Sequence, residues 1–165
     1  MLKIRKLQKG DASRMGEMRY ETIHAINKEH YTQEQLNLWA PKTNEHSYWD
    51  RAAQHNVLYV AEIGGELVGF GDFKKNGYLS SMYVHKDHQG KGIATALFKK
   101  MEEEANHMRL KEFTTESSIT AKLFFERMGF TVVESQEKEY NGLKFLVYIM
   151  VKKLRSSDAK PRFYR

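Results

Sequence analysis

At 165 residues with 41% hydrophobic content, the chain can bury one core holding roughly two-thirds of its unfolded surface, and it is short for two domains. With no cysteine, disulfides, thiolate metal sites and a cysteine nucleophile are excluded, and a reducing cytoplasm is the expected location. The net charge of +6 invites a nucleic-acid reading, but residues 152–165 carry five of the six charges and leave the body nearly neutral, so neither nucleic acid nor membrane is expected as a partner.

The first segment, Leu2 to Leu7, alternates apolar Leu2, Ile4 and Leu7 imperfectly with Lys3, Arg5 and Lys6, as an edge strand with cationic protection would. Its start lacks the apolar stretch of a signal peptide. Gly10-Asp11 interrupts it, and Asp11 is expected to cap a helix with Met15, Met18, Thr22, Ala25 and Ile26 on one side. Thr32-Gln33-Glu34-Gln35 has the form of a capping box, which predicts a short helix toward Trp39 with Pro41 stopping it; another short helix follows Ser47. This third of the chain is rich in rings: Tyr20, His24, His30, Tyr31, Trp39, His46, Tyr48 and Trp49. Packing accounts for any one of them, and an acceptor pocket with aromatic walls is the functional alternative.

From Val57 the pattern is that of strands. Val57–Ile63, Gly64-Gly65 and Glu66–Phe73 form a hairpin, and Asn76-Gly77 leads into Tyr78–Val84, giving three antiparallel strands. A loop then carries Gln89-Gly90-Lys91-Gly92, and Ile93, Leu97, Met101, Ala105 and Met108 mark one buried face of the helix behind it. Strand, glycine-rich loop, helix is a phosphate cradle: the glycines turn backbone N–H groups toward a ligand, the helix dipole favours negative charge, Lys91 adds a cation and Gln89 a neutral donor. The helix returns the chain to Leu110–Thr115, expected as a parallel neighbour of the preceding strand through a right-handed crossover. Ser118 can cap a helix bearing Ala121, Phe124, Phe125 and Met128, and Gly129 stops it. Phe130–Glu139 and Leu143–Val151 make a last hairpin around Asn141-Gly142, its second strand apolar on both faces. Residues 1–153 are therefore read as one domain and 154–165 as a basic, disordered tail.

Three phosphate-binding patterns compete for the loop. A nucleoside-triphosphate loop would need GxxxxGK[ST], and Gly90-Lys91-Gly92 lacks both its first glycine and the hydroxyl after the lysine. A dinucleotide fingerprint would begin directly after its strand and end in glycine, whereas Gly90-Lys91-Gly92-Ile93-Ala94-Thr95 starts late and ends in threonine, although Glu112 and Glu116 lie near the distance of a ribose-binding acid. The pattern [QR]-x-x-G-x-[GA] of acyl-CoA pyrophosphate loops is met at each specified position by Gln89-Gly90-Lys91-Gly92-Ile93-Ala94.

On that hexapeptide, and on Ala121-Lys122-Leu123-Phe124-Phe125-Glu126-Arg127-Met128-Gly129-Phe130, the chain resembles the GNAT superfamily of acetyl-CoA-dependent N-acetyltransferases over about residues 2–152. The resemblance implies an α/β (α+β) fold: a mixed, mostly antiparallel sheet of about seven strands flanked by helices. It implies acetyl-CoA as cosubstrate and acetyl transfer to a primary amine of a small molecule or peptide, by direct attack in a ternary complex. Backbone groups of Met82, Tyr83 and Val84 would hold the pantetheine and thioester carbonyl. Gln89, Gly90, Lys91, Gly92, Ile93, Ala94 and Thr95 would hold the pyrophosphate. Ser118 stands where many members have an asparagine that bonds the pantetheine, and the helix with Phe124 and Phe125 packs beside that arm. Lys86 departs from a frequent proline, and Phe125 from a tyrosine often held to protonate the departing thiolate. A CoA-binding sensor or interaction domain without catalysis is the alternative that Phe125 supports.

Amine attack on a thioester needs the neutral amine, and freeing it from an alkylammonium of pKa near 10.4 at cytoplasmic pH costs roughly 4 kcal/mol, so a base is expected. Glu116, at the end of the strand flanking the cleft, is the first candidate; Asp72 and His85 are alternatives. The seven histidines show no ligand spacing, and no metal is expected. The residues do not name the amine or the oligomeric state, a homodimer included.

Overall fold

The computed structural model describes residues 1–42 and 46–155, without the side chain of His46. Its strands are β1 (Leu2–Lys6), β2 (Asn56–Ile63), β3 (Glu66–Lys74), β4 (Leu79–Val84), β5 (Glu112–Ser117), β6 (Thr131–Tyr140) and β7 (Leu143–Lys153). Its helices are α1 (Asp11–Ile26), α2 (Gln33–Trp39), α3 (His46–His55), α4 (Ile93–His107) and α5 (Lys122–Arg127). None is long and apolar enough to cross a membrane.

Four strands form one antiparallel sheet in the order β1-β2-β3-β4, and three form another in the order β5-β7-β6. Seven strands flanked by helices in a single domain match the expected architecture. The turns behave as their residues dictate: Gly64 and Gly65 have φ of 59° and 82°, Asn141 and Gly142 46° and 82°, as a two-residue hairpin with both central residues left-handed requires. The strand apolar on both faces, β7, is the centre of its sheet, with Phe145 and Met150 buried in different clusters. The main core lies under α4 and α5, where Phe73, Phe98, Phe113, Phe125 and Phe130 pack together. Gly69 and Gly71 keep β3 low enough for α4, since a Cβ at either would press to 3.0–3.1 Å from Ile93, Leu97 or Met101.

Two local expectations are corrected. Asp11 does not cap α1; Gly10 holds that position, and the Asp11 carboxylate instead accepts from the Gln8 N–H at 2.7 Å and from Arg5 at 2.7 Å. The Thr32 capping box is present in full, and Ser118 Oγ accepts from the Ala121 N–H at 3.1 Å ahead of α5. The parallel pairing of β5 with β4 reduces to one bridge, Tyr78 to Thr114, after which the strands part. A bulge at Ser80, where the β3 register shifts between Asp72 and Phe73, turns β4 away. Just past the expected boundary at 153, the Leu154 N–H donates to Lys111 O at 2.9 Å and its side chain packs on the main core. The rest of the expected tail, from residue 156, lies outside the described residues.

Candidate active site

Where β4 and β5 part, a cleft of about 490 Å³ opens between the sheets, walled by the start of α4 on one side and α5 on the other. It widens from a fixed apex. There the Thr114 N–H donates to Gly77 O at 3.0 Å and Thr115 Oγ1 to Leu79 O at 2.9 Å.

The β4 side of the cleft is set by ladder alternation. The His85 N–H donates to Val68 O at 2.8 Å, so with Gly69 opposite Val84, Phe70 opposite Tyr83 and Gly71 opposite Met82, the hydrogen-bonded pairs are Val68–His85 and Phe70–Tyr83. The backbone groups of Met82 and Val84 then point away from β3, into the cleft, while those of Tyr83 are used within the sheet. Val84 O is already doubly bound, accepting from Thr22 Oγ1 at 3.1 Å and from Gln89 Nε2 at 2.7 Å. Met82 thus offers both an N–H and a C=O, and Val84 its N–H.

That bond occupies the Gln89 side-chain N–H, whose amide ties the loop to the end of β4. Behind it Gly90 and Gly92 have φ of 72° and 77°, and Gly92 is the N-cap residue of α4. No side chain caps this helix, so the first-turn N–H groups of Ile93, Ala94 and Thr95 face the cleft with the helix dipole behind them. Lys91 is exposed and does not line the cleft; Gln89, Gly90, Gly92, Ile93, Ala94 and Thr95 do. Two residues that motif reading passed over join them. His88 Nδ1 and Ser80 Oγ line the cleft and are buried polar atoms without a protein partner. An uncapped helix start beside such atoms suits a phosphorylated ligand.

Ser118, Phe124 and Phe125 line the opposite wall. Phe125 is buried against Phe124 and Phe130, with ring centroids 5.4 and 5.2 Å away, so the position contributes shape and no proton.

Glu116 stands at a junction. With Trp39 and Ser118 it lines both the cleft and a second cavity of about 400 Å³. Its Oε1 accepts from Lys138 Nζ, and this pairing holds the Lys138 ammonium above its ordinary range. Beside it, burial pushes the Tyr78 phenol up, and the Glu116 charge adds to the effect. The other two candidate bases are elsewhere. Asp72 is 1% exposed on β3, its Oδ2 accepting from Asn56 Nδ2 at 2.8 Å, and burial pushes its carboxyl up. His85 Nδ1 accepts from the Asp87 N–H at 3.1 Å, which makes it a turn-forming residue. Neither lines the cleft.

A family model of the acetyltransferase (GNAT) domain matches residues 27–152. The chain belongs to the GNAT acetyltransferase family. Over 149 residues it is 30% identical to YafP of Escherichia coli, an "uncharacterized N-acetyltransferase", covering 90% of this chain and 94% of that one. A GCN5-related N-acetyltransferase of Rhodopseudomonas palustris superposes with a TM-score of 0.85 at 23% identity, covering 92% and 95% of the two chains. The PaiA N-acetyltransferase of Thermoplasma acidophilum, solved with coenzyme A, superposes with a TM-score of 0.75 at 19% identity, covering 93% and 99%. As a GNAT enzyme, this chain is an acetyltransferase.

Proposed function

We propose that the enzyme moves the acetyl group of acetyl-CoA to a primary amine by direct attack in a ternary complex. One observation carries this: the uncapped start of α4, the outward N–H groups of Met82 and Val84, and Glu116 all face one cleft. The thioester supplies an activated acyl carbon. The pyrophosphate sits on the N–H groups from Gly90 to Thr95, the pantetheine runs between β4 and the Ser118–Phe125 wall, and the acyl carbonyl lies along β4. An N–H of Met82 or Val84 stabilises the charge that develops on the carbonyl oxygen. The amine enters from the second cavity, and Glu116, directly or through water, takes the proton that the ammonium must lose. The C–N bond forms, the C–S bond breaks, and the thiolate leaves without a hydroxyl at position 125.

The supporting test is direct: free-thiol release from acetyl-CoA across a panel of amines, with acetyl-CoA affinity measured separately by calorimetry. Tight acetyl-CoA binding without thiol release for any amine would leave a binding module in place of an enzyme.

A further inference from the structure

The second cavity has a chemistry of its own. Four rings from separate segments converge on it: Tyr31 after α1, Trp39 at the end of α2, Tyr140 at the end of β6 and Phe145 on β7. Tyr31 meets Trp39 edge-on with centroids 5.2 Å apart and Phe145 at 6.2 Å, while Tyr140 meets Phe145 at 5.9 Å. The box is held rigid. The Tyr31 hydroxyl accepts from the Ile119 N–H at 2.9 Å, fixing the ring whose neighbours build the walls. Among the described residues Glu116 is the one charged group lining this cavity, and it is placed where the cavity opens into the cleft.

From this arrangement, and resting on the acetyl-transfer reading above, we infer that the acceptor is a primary monoamine on a compact apolar body, best an aromatic one. The body lies among Tyr31, Trp39, Tyr140 and Phe145, and the nitrogen lies at Glu116. A volume of about 400 Å³ is that of a small-molecule site. Apolar walls favour such a body, and offset or edge-on ring contacts reward an arene more than an alkyl chain of equal area. A second ammonium, as in a diamine, would be stripped of water among rings with no second carboxylate to receive it. An α-carboxylate beside the reacting nitrogen would face Glu116, and the nearest ammonium, that of Lys138, is already bound to that same carboxylate. In the transfer the amine lone pair forms the C–N bond, the C–S pair leaves on sulfur, and the ammonium proton passes toward Glu116 and on to solvent or the thiolate.

Three matched amines test this on the full chain with acetyl-CoA: phenethylamine, L-phenylalanine, which adds only the carboxylate, and putrescine. Phenethylamine is expected to lead both in kcat/KM by about tenfold or more, the scale on which pocket contacts discriminate. Tyr140→Ala, at a ring that is 52% exposed and so removable without loss of the fold, should raise the KM for phenethylamine several-fold while leaving acetyl-CoA affinity unchanged. Putrescine or L-phenylalanine leading, or Tyr140→Ala leaving every KM unchanged, overturns the acceptor inference and leaves acetyl transfer standing. Calorimetric binding of phenethylamine without turnover of any amine supports the aromatic box and sinks the transfer reading; neither binding nor turnover sinks both.

Discussion

Lys138 on β6 reaches over β7 to donate to Oε1 of Glu116 on β5, so the candidate base is tethered from two strands away. Both side chains keep about a third of their surface, 30% and 32%, so the pair is worth at most about 1 kcal/mol to stability. Its consequence is positional: the tether keeps the carboxylate at the passage between the two cavities.

Glu116→Gln should therefore lower kcat/KM by roughly 10²–10³, the usual range for removing a general base, and the deficit should shrink as pH rises and more amine is already neutral. Lys138→Met should cost clearly less, since it loosens the carboxylate without removing it. Initial rates from pH 7 to 9.5 decide. Full activity of Glu116→Gln at pH 7 with acetyl-CoA still bound would reassign the base to a water chain, because Asp72 and His85 do not line the cleft.

Gly92→Glu should weaken acetyl-CoA binding by a hundredfold or more. The substitution places a negative charge beside N–H groups meant for phosphate, where charge-assisted bonds contribute about 1.5–3 kcal/mol each, and it forces a side chain onto a φ of 77°. Calorimetry reads the affinity, and a parallel melt shows that the variant is folded. Unchanged affinity in a folded variant would falsify the cradle.

Much of this was legible in the chain because it is local. Periodicity and turn residues marked six of the seven strands, the capping box at Thr32 and the helix stop at Gly129, β5 followed from the crossover that α4 must make, and the spacing of Gln89, Gly90 and Gly92 marked the loop. What could not be read depends on how distant segments meet. No pattern in residues 79–84 announces the bulge at Ser80 that parts the sheets, and nothing near Gln89 shows its amide bound to Val84 O. Tyr31 and Trp39 stood out early in a ring-rich stretch, but Tyr140 and Phe145 read as ordinary hairpin residues until β7 entered its sheet between β5 and β6.

Asp72→Asn should stabilise the protein at neutral pH. Burial at 1% exposure raises the carboxyl above the ordinary aspartate value, so its favourable contribution is complete below that value, where both folded and unfolded forms are protonated. It is lost as pH rises through the folded value, where burial opposes ionisation. Asparagine keeps an acceptor for Asn56 and removes the titration. The melting temperature should rise by a few degrees at pH 7.5 and change little near pH 4. Equal shifts at both pH values would show that ionisation of Asp72 is not the cause.

Gly77→Ala should damage the fold at the apex of the cleft. Gly77 has a φ of 91°, which a side chain strains, and a Cβ there would run into the carbonyl oxygen of Glu112 on the other sheet. The contact cannot relax by a side-chain rotation, since both partners are backbone, and the Gly77 carbonyl is held by the Thr114 N–H at 3.0 Å. Strain of about 1–3 kcal/mol at the φ alone, with the clash added, should lower the melting temperature by roughly 5–10 °C in a chain of this size. Because the apex sets how β4 and β5 part, acetyl-CoA affinity should fall as well, measured well below the melt where the variant is folded. Gly65→Ala is the matched control: its φ of 82° carries similar strain, but a Cβ there meets nothing within 4 Å and Gly65 does not line the cleft. A control that loses as much stability as Gly77→Ala, with both keeping full affinity, would reduce the glycine at 77 to a turn residue and remove it from the architecture of the site.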